Sequence, residues 1–349
     1  MKHLNALTGI RFFAALYVAI YHFFPVKGLP EWAQVIVKSG FMGVSFFFLL
    51  SGFIMVYNYV PKADGLNKAK YWWVRVARIY PIYFVAMLIS LPGFLKSLEG
   101  GISAAAPHLL TRFTAIHAWI PSHIDGWNTP SWSLSCEAFF YLIFPFLVPW
   151  FAKMNLKSAQ MVFAGCALLA LLGPLLSVIW GLDSKSPTYY FLYYSPLFHT
   201  PQFLAGAALG RIYMHAPAPT RQTGTLAAAF GLLVVLMFAF YGQAIFVQCG
   251  VMLAPFAMLI WALAKGSGSL NNFLSHPKMH LLGDASYSLY ILHAPVFAYL
   301  SLVLPALKKD PPIWMVAGIY LPLVVVISLL AFQFIEKPCR KAIRSWAKA

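Results

Sequence analysis

The sequence predicts an all-α integral membrane protein of about ten transmembrane helices, with both termini cytoplasmic. Three observations predict it. The 349-residue chain is 61% hydrophobic and only 10% charged, where a soluble domain carries about 25% charged residues. Its mean hydropathy is +0.73. Apolar stretches near the roughly 20 residues that cross a bilayer recur from one end to the other. They fall at 7–25, 41–60, 79–95, 130–150, 159–181, 196–214, 224–241, 244–264, 285–305 and 313–334. An even number of spans puts the termini on one side. With the N-terminus inside, the inner segments hold 18 of the 25 Lys and Arg residues, from Lys2 and Arg11 through Arg211 and Arg221 to Lys348. The excess of inner basic residues makes that side cytoplasmic. A shift of two spans would preserve this orientation.

The formal charge of +16 would suit a nucleic-acid binder on a soluble domain. Here the basic residues lie between apolar spans, so they point to topology and a phosphorylated ligand, and nucleic acid is not an expected partner. Cys136, Cys166, Cys249 and Cys339 show no paired spacing, so neither a disulfide framework nor a metal site is expected. Arg11 interrupts the first apolar segment and no small-residue cleavage site follows it, which makes it a retained helix. Residues 1–349 read as a single membrane domain without internal repeats or an appended soluble domain.

The first span, LTGIRFFAALYVAIYHFF, carries Arg11 and His22. Eleven residues at about 100° each close to within about 20° of three turns, so both project from one face, about 16 Å apart along the axis. Ionisable groups within a membrane usually face a bundle interior or a wet cavity and mark a site. The alternative is that Arg11 snorkels to the headgroups and His22 only packs. The second span contains Ser51-Gly52; small residues at helix interfaces are ordinary membrane packing, and Ser51 is the member that could also line a channel.

Segment 68–81, KAKYWWVRVARIYP, reads as a cytoplasmic loop with Lys68, Lys70, Arg75, Arg78 and Tyr80 around two tryptophans. Forked guanidiniums beside aromatic surface suit a phosphorylated nucleotide. A topology anchor with an aromatic belt is the equal alternative. The long stretch 96–129 contains Arg112 and His117 and reads as a re-entrant or interfacial piece.

Residues 127–145 place Glu137 about two turns inside a span, where a carboxylate needs a partner or a proton. Trp132, Ser133 and Ser135 gather at the outer mouth of that helix. Helix capping explains the serines and leaves the glutamate unexplained. In the ninth span Ser286, Tyr290 and His293 are spaced four and three apart, with Tyr287 beside them, giving a polar stripe on one face. Asp284 stands where it would cap that span, and Glu336 is placed to pair with a cytoplasmic basic residue.

These pieces together resemble the acyltransferase-3 family of integral-membrane O-acyltransferases. The resemblance is carried by Arg11 with His22, SGF at 51–53, RVARIYP at 75–81, PSWSLSCEAFFY at 130–141, GDASYSLYILH at 283–293 and EKP at 336–338. They stand in the family's order along essentially the whole chain; Cys136 stands where many members have Val. The resemblance implies a ten-helix domain of the bacterial cytoplasmic membrane. It implies transfer of an acyl group, often acetyl, from cytoplasmic acyl-coenzyme A to a hydroxyl of a cell-envelope or secreted glycan. Arg11 and His22 match its catalytic pair, and Arg75 and Arg78 match the motif associated with coenzyme A.

The expectation is therefore that Arg75 and Arg78, with Lys68, Lys70 and Tyr80, hold the donor. His22 acts as general base with Arg11 beside it, and Glu137 orients His22 or an acceptor hydroxyl. Ser51, Trp132, Ser133, Ser135, Tyr287, Tyr290 and His293 line the channel. An acyl-histidine intermediate is the competing chemistry. A lipid-linked sugar transporter and a packing-only scaffold are the readings from other classes. The identity of the acyl group, the acceptor and the oligomeric state, monomer or homodimer, are left open by the sequence.

Overall fold

A computed structural model describes residues 4–97, 101–216, 222–309 and 311–346. Lys2, Arg221 and Lys348, used in the charge count, lie outside them. Every regular element among the described residues is helical. The order begins α1 (Asn5–Phe23), α2 (Glu31–Lys38), α3 (Gly43–Tyr59), α4 (Lys68–Ser97), α5 (Gly101–Phe113) and α6 (Trp132–Lys153). It continues α7 (Leu156–Leu169), α8 (Leu172–Ile179), α9 (Pro187–Tyr194), α10 (Pro196–His215), α11 (Thr223–Ala239) and α12 (Ala244–Phe246). It closes with α13 (Leu253–Lys265), α14 (Ser269–Leu274), α15 (Pro277–Val303), α16 (Ile313–Met315), α17 (Leu321–Ala331) and α18 (Lys337–Trp346).

All ten expected stretches are helical, yet fewer than ten meet the length and hydropathy of a span. Among the described residues seven helices do, and a pair bent by 47°, Ala244–Val251 with Leu253–Lys265, makes up to eight. The expected span at 224–241 is the 17-residue apolar α11. The one at 196–214 is α10, which carries His199, Gln202 and Arg211 within its length. The shortfall has two causes: α11 is apolar but short, whereas α10 is long enough and carries polar side chains that are buried among its neighbours, His199 and Gln202.

Two boundaries move. The basic segment 68–81 is not a loop but the first half of α4, which Asn67 caps by accepting from the Lys70 amide at 2.9 Å. The helix runs on through Pro81 and Pro92, which bundle packing tolerates. α15 starts at Pro277, eight residues ahead of the expected span at 285–305, because Pro suits the first helical turn. Asp284 is therefore not a cap; its Oδ2 lies 3.3 Å from His280 Nδ1, one turn back.

Close helix contact fixes the centre of the bundle. A Cβ on Gly52 would stand 1.9 Å from the Phe203 carbonyl oxygen, and one on Gly206 equally close to that of Leu49. The SGF element is thus the seam between α3 and α10, as small-residue packing in membranes requires. α1 lies equally tightly on α15, where a Cβ on Gly283 would stand 2.0 Å from the Thr8 oxygen. That contact sets the first span's polar face against the ninth's.

Within the stretch 96–129, residues 101–128 form α5 and a series of short turns outside the seven candidate spans. Its centre is Arg112, fully buried. The guanidinium donates to the carbonyls of His123 (2.8 Å), Ile124 (2.7 Å) and Asp125 (3.2 Å) and to Ser131 Oγ (3.1 Å). One cation thus closes a loop whose carbonyls would otherwise be buried without donors. Burial, then the Arg112 charge, pushes the nearby His117 down to about 3, so this imidazole is neutral.

Candidate active site

A cavity of about 200 Å³ lies between α1, α3, α4, α6 and α15. Its polar lining includes Arg11, Arg75, Arg78, Glu137, Tyr141 and Ser286. Ser51, Ser133, Tyr287 and Tyr290 also face it. The structure thereby brings together residues spread over some 280 positions of sequence, among them Arg11 and Glu137, which the sequence singles out as charges in apolar spans. Its volume is below the roughly 300–1,000 Å³ of a site that encloses a drug-sized ligand. It suits a narrow arm or a single phosphate group, not a whole nucleotide.

The three arginines are not equivalent. Arg75 Nη2 donates to Tyr59 Oη at 2.9 Å, and its guanidinium lies 5.4–5.9 Å from the ring centres of Tyr59, Tyr71 and Tyr141. This aromatic box holds the charge towards the cavity and adds cation–π attraction. Its Nε is buried without a partner. Arg78 instead donates to Glu336 at 2.9 Å, and that carboxylate is fully buried. Glu336 also accepts from Arg340 at 3.3 Å and Ser288 Oγ at 2.9 Å. Arg78 is thus largely neutralised inside the bundle, whereas Arg75 has aromatic rings, the Tyr59 hydroxyl and the Met55 sulfur (3.4 Å) around it and, among the described residues, no carboxylate partner.

Glu137 accepts from Tyr141 Oη, one turn along α6, and Ser51 Oγ lies 3.5 Å from the same phenol. It does not orient His22. Ser286 Oγ is buried at the cavity wall with no hydrogen-bonding partner, an unsatisfied donor of the kind that a bound polar group would complete.

His22 sits outside this cavity, about three turns up α1 from Arg11, and has an exposed edge. Its Nδ1 lies 2.8 Å from the Val18 carbonyl and 3.3 Å from His293 Nε2. His293 is buried, with Nδ1 2.5 Å from the Tyr290 carbonyl. Carbonyls only accept, so the hydrogen-bond pattern assigns the proton to Nδ1 on both rings. His293 Nε2 then shares the His22 Nδ1 proton, which leaves the His22 Nε2 lone pair facing outward. Between the two halves stands Tyr290, whose Oη meets Ser133 Oγ at 2.7 Å and the Pro130 carbonyl at 2.8 Å. Tyr290 and Ser133 therefore form the end of the cavity on the side facing His22.

Other expected site residues lie elsewhere. Lys68 stands over the Phe146 ring at 4.4 Å and Lys70 is exposed. Tyr80 Oη donates to the Phe113 carbonyl at 3.0 Å, tying α4 to α5. Trp132 is packed between Phe48, Tyr194 and His199. Ser135 Oγ accepts from the Ala118 amide at 3.3 Å. None of these faces the cavity. Tyr141 and Tyr59 were missed. The four-residue step from Glu137 to Tyr141 was a readable signal, whereas Tyr59 comes from another helix.

The family model described as an acyltransferase domain matches residues 4–332. Among curated proteins, the chain is 28% identical over 316 residues to acyltransferase MdmB of Streptomyces mycarofaciens, covering 85% of this chain and 79% of that one. It is 26% identical over 369 residues to peptidoglycan O-acetyltransferase OatA of Listeria monocytogenes, covering 97% and 56%. With O-acetyltransferase OatA of Staphylococcus aureus it shares 24% over 372 residues, covering 97% and 58%. The chain thus spans just over half the length of these two O-acetyltransferases. No solved structure matches.

Proposed function

The chain belongs to the acyltransferase-3 family, and on that premise we propose that it is a membrane O-acyltransferase. In this reading it moves an acyl group, acetyl in the first instance, from acyl-coenzyme A to a hydroxyl of a glycan. The glycan class comes from the relatives named as peptidoglycan O-acetyltransferases. The acyl-coenzyme A donor and a bacterial cytoplasmic membrane, with the donor on its inner side, are parts of the same proposal.

The observation that carries the reading is the cavity that joins Arg75, Arg11 and the unpaired Ser286 hydroxyl below the His22–His293 pair. Arg75 and Arg11 would hold a phosphate or the amide-rich arm of the donor, with the nucleotide outside near Lys68 and Lys70. The arm would extend towards Tyr290, whose side chain must turn aside for the thioester to meet His22. His22 Nε2 would accept the proton of the acceptor hydroxyl as its oxygen bonds to the thioester carbonyl carbon. Collapse of the tetrahedral adduct breaks the carbon–sulfur bond. The proton passes from His22 to the departing sulfur, leaving an ester and free coenzyme A. His293 would keep His22 in the tautomer that this step needs.

Purified protein in nanodiscs, given acetyl-coenzyme A, tests the reading through release of free thiol. Thiol release that His22→Ala abolishes, with a donor KM that rises at least tenfold in Arg75→Ala, is the expected result. Failure of the wild type to bind or consume any acyl-coenzyme A would overturn it in favour of a carrier of lipid-linked sugars.

A further inference from the structure

We propose that Asn128 is a positioning residue for the His22–His293 pair, supplying the hydrogen bond that Pro295 takes away from α15. The proposal rests on the acyl-transfer reading of His22 and adds to it the device that fixes the geometry of the pair.

α15 is one of the seven candidate spans and carries Pro295 inside it. A helical carbonyl normally accepts from the amide four residues on, and Pro295 has no N–H to offer Ile291. Ile291 is fully buried, so its carbonyl has no water to turn to and needs a donor from a neighbouring element. Asn128 Nδ2 donates to it at 3.1 Å. Only this orientation of the side-chain amide makes a bond, because the reverse would set one oxygen against another. Asn128 Oδ1 is itself buried without a partner, so the nitrogen is the end of the side chain that the fold uses.

The backbone of Asn128 is left-handed, at φ +46°. Asn enters this region more readily than most side chains, and residues held there cluster at functional sites. From Asn128 the chain makes one short turn, Thr129–Ser131, into α6, and this stretch grips α15 at two consecutive residues. Asn128 holds the Ile291 carbonyl, the Pro130 carbonyl accepts from Tyr290 Oη at 2.8 Å, and Ser133 Oγ lies 2.7 Å from the same phenol. His293, two residues beyond Ile291, has Nδ1 2.5 Å from the Tyr290 carbonyl and Nε2 3.3 Å from His22 Nδ1. Tyr320 Oη donates to the His293 carbonyl at 3.0 Å. Side chains therefore fix this turn where Pro295 has weakened the helix's own bonding. A bond needed only for the fold would affect stability alone. This one holds the turn on which both the end of the cavity and the partner of His22 are mounted, so its loss should reach the reaction.

The test uses the full chain in nanodiscs, with thiol release from acetyl-coenzyme A and thermal unfolding as readouts. Asn128→Gly keeps the left-handed backbone and removes the donor. It is expected to lower kcat about tenfold with donor KM changing less than about twofold, since a misplacement of about 1 Å can cost about a hundredfold. Adding Pro295→Ala returns an amide to Ile291 and should bring kcat back to within about threefold of Pro295→Ala alone. The melting temperature should fall in Asn128→Gly and be restored by the same second substitution. An unchanged kcat in Asn128→Gly overturns the proposal, whatever happens to the melting temperature, as does a kcat loss that Pro295→Ala does not restore. Should Asn128→Gly alone fail to fold, a folded and active double variant upholds the proposal and an unfolded one overturns it. A melting-temperature loss that Pro295→Ala cancels, in a protein that never consumes acetyl-coenzyme A, would uphold the hydrogen bond and overturn the acyl-transfer reading.

Discussion

Arg78 and Glu336 lie 258 positions apart and meet at 2.9 Å, with the carboxylate wholly removed from solvent. The pair ties α4 to the last membrane segment at the edge of the cavity, and Arg340 and Ser288 complete the carboxylate's hydrogen bonds. Removing one member of a buried ion pair costs about 3–5 kcal/mol. Glu336→Ala should approach that loss, because it leaves Arg78 and Arg340 facing each other. Arg78→Ala should lose less, because Arg340 still neutralises Glu336. Thermal unfolding in detergent checks the order; a smaller loss for Glu336→Ala than for Arg78→Ala would refute the account.

His293→Ala should lower kcat about tenfold to a hundredfold with little change in donor KM, because the His22 imidazole loses the partner that shares its Nδ1 proton. His22→Ala removes the base itself and should lower kcat by about 10²–10⁴-fold. Acyl transfer by the two variants and the double variant distinguishes the roles. If His293→Ala alone matched His22→Ala, the buried His293 would be reacting directly.

Gly52→Ala should be poorly tolerated, since its Cβ would stand 1.9 Å from the Phe203 carbonyl oxygen. Backbone cannot rotate away as a side chain can, so the α3–α10 seam must open. A loss at the upper end of the about 1–3 kcal/mol typical of overpacking is expected. The measurement is the yield of monodisperse protein on size-exclusion chromatography. Gly165→Ala is the control, since its Cβ would meet nothing within 4 Å.

Acid should weaken the Arg112 loop through His117. Burial, and then Arg112, hold that imidazole at about 3, below its ordinary value of 6.5. Between those values the unfolded chain takes up a proton that the folded chain refuses, so this stability is complete above about pH 6.5 and is lost as pH falls towards 3. The slope approaches about 1.4 kcal/mol per pH unit. His117→Gln should flatten the dependence of the melting temperature on pH between 7 and 5. An unchanged slope would exclude His117 as its source.

Much of the site was legible because a membrane makes polar residues conspicuous. Arg11, Glu137, Ser286 and Tyr290 stood out in apolar helices, and all four line the cavity. The alignment of Arg11 with His22 followed from helical periodicity alone. The loss of Arg78 to Glu336 and the aromatic box around Arg75 were not legible, because both depend on which helices become neighbours. Lys68, Lys70 and Tyr80 were grouped with Arg75 by proximity in a supposed loop. Once that segment is a helix, Lys70 and Tyr80 turn well away from Arg75, and Lys68, on the same face two turns earlier, is held over the Phe146 ring. Trp132 and Ser135 failed for the related reason that residues at one end of a helix share a depth without sharing a direction.

The last membrane segment contains a π-helical turn at Phe332–Glu336, with Glu336 its final residue. Such a turn holds one residue more than the α-helical path, which shifts everything after it by about 100° around the axis. Glu336 therefore owes its inward direction to chain length upstream as much as to its own identity. The turn absorbs that extra residue: removing one residue from Phe332–Ile335 would restore a regular helix with the carboxylate still facing Arg78, whereas straightening the full-length segment would swing it away with no charged residue altered. The direction of a charged group is here set by the number of residues in one turn, which sequence comparisons that score substitutions alone would overlook.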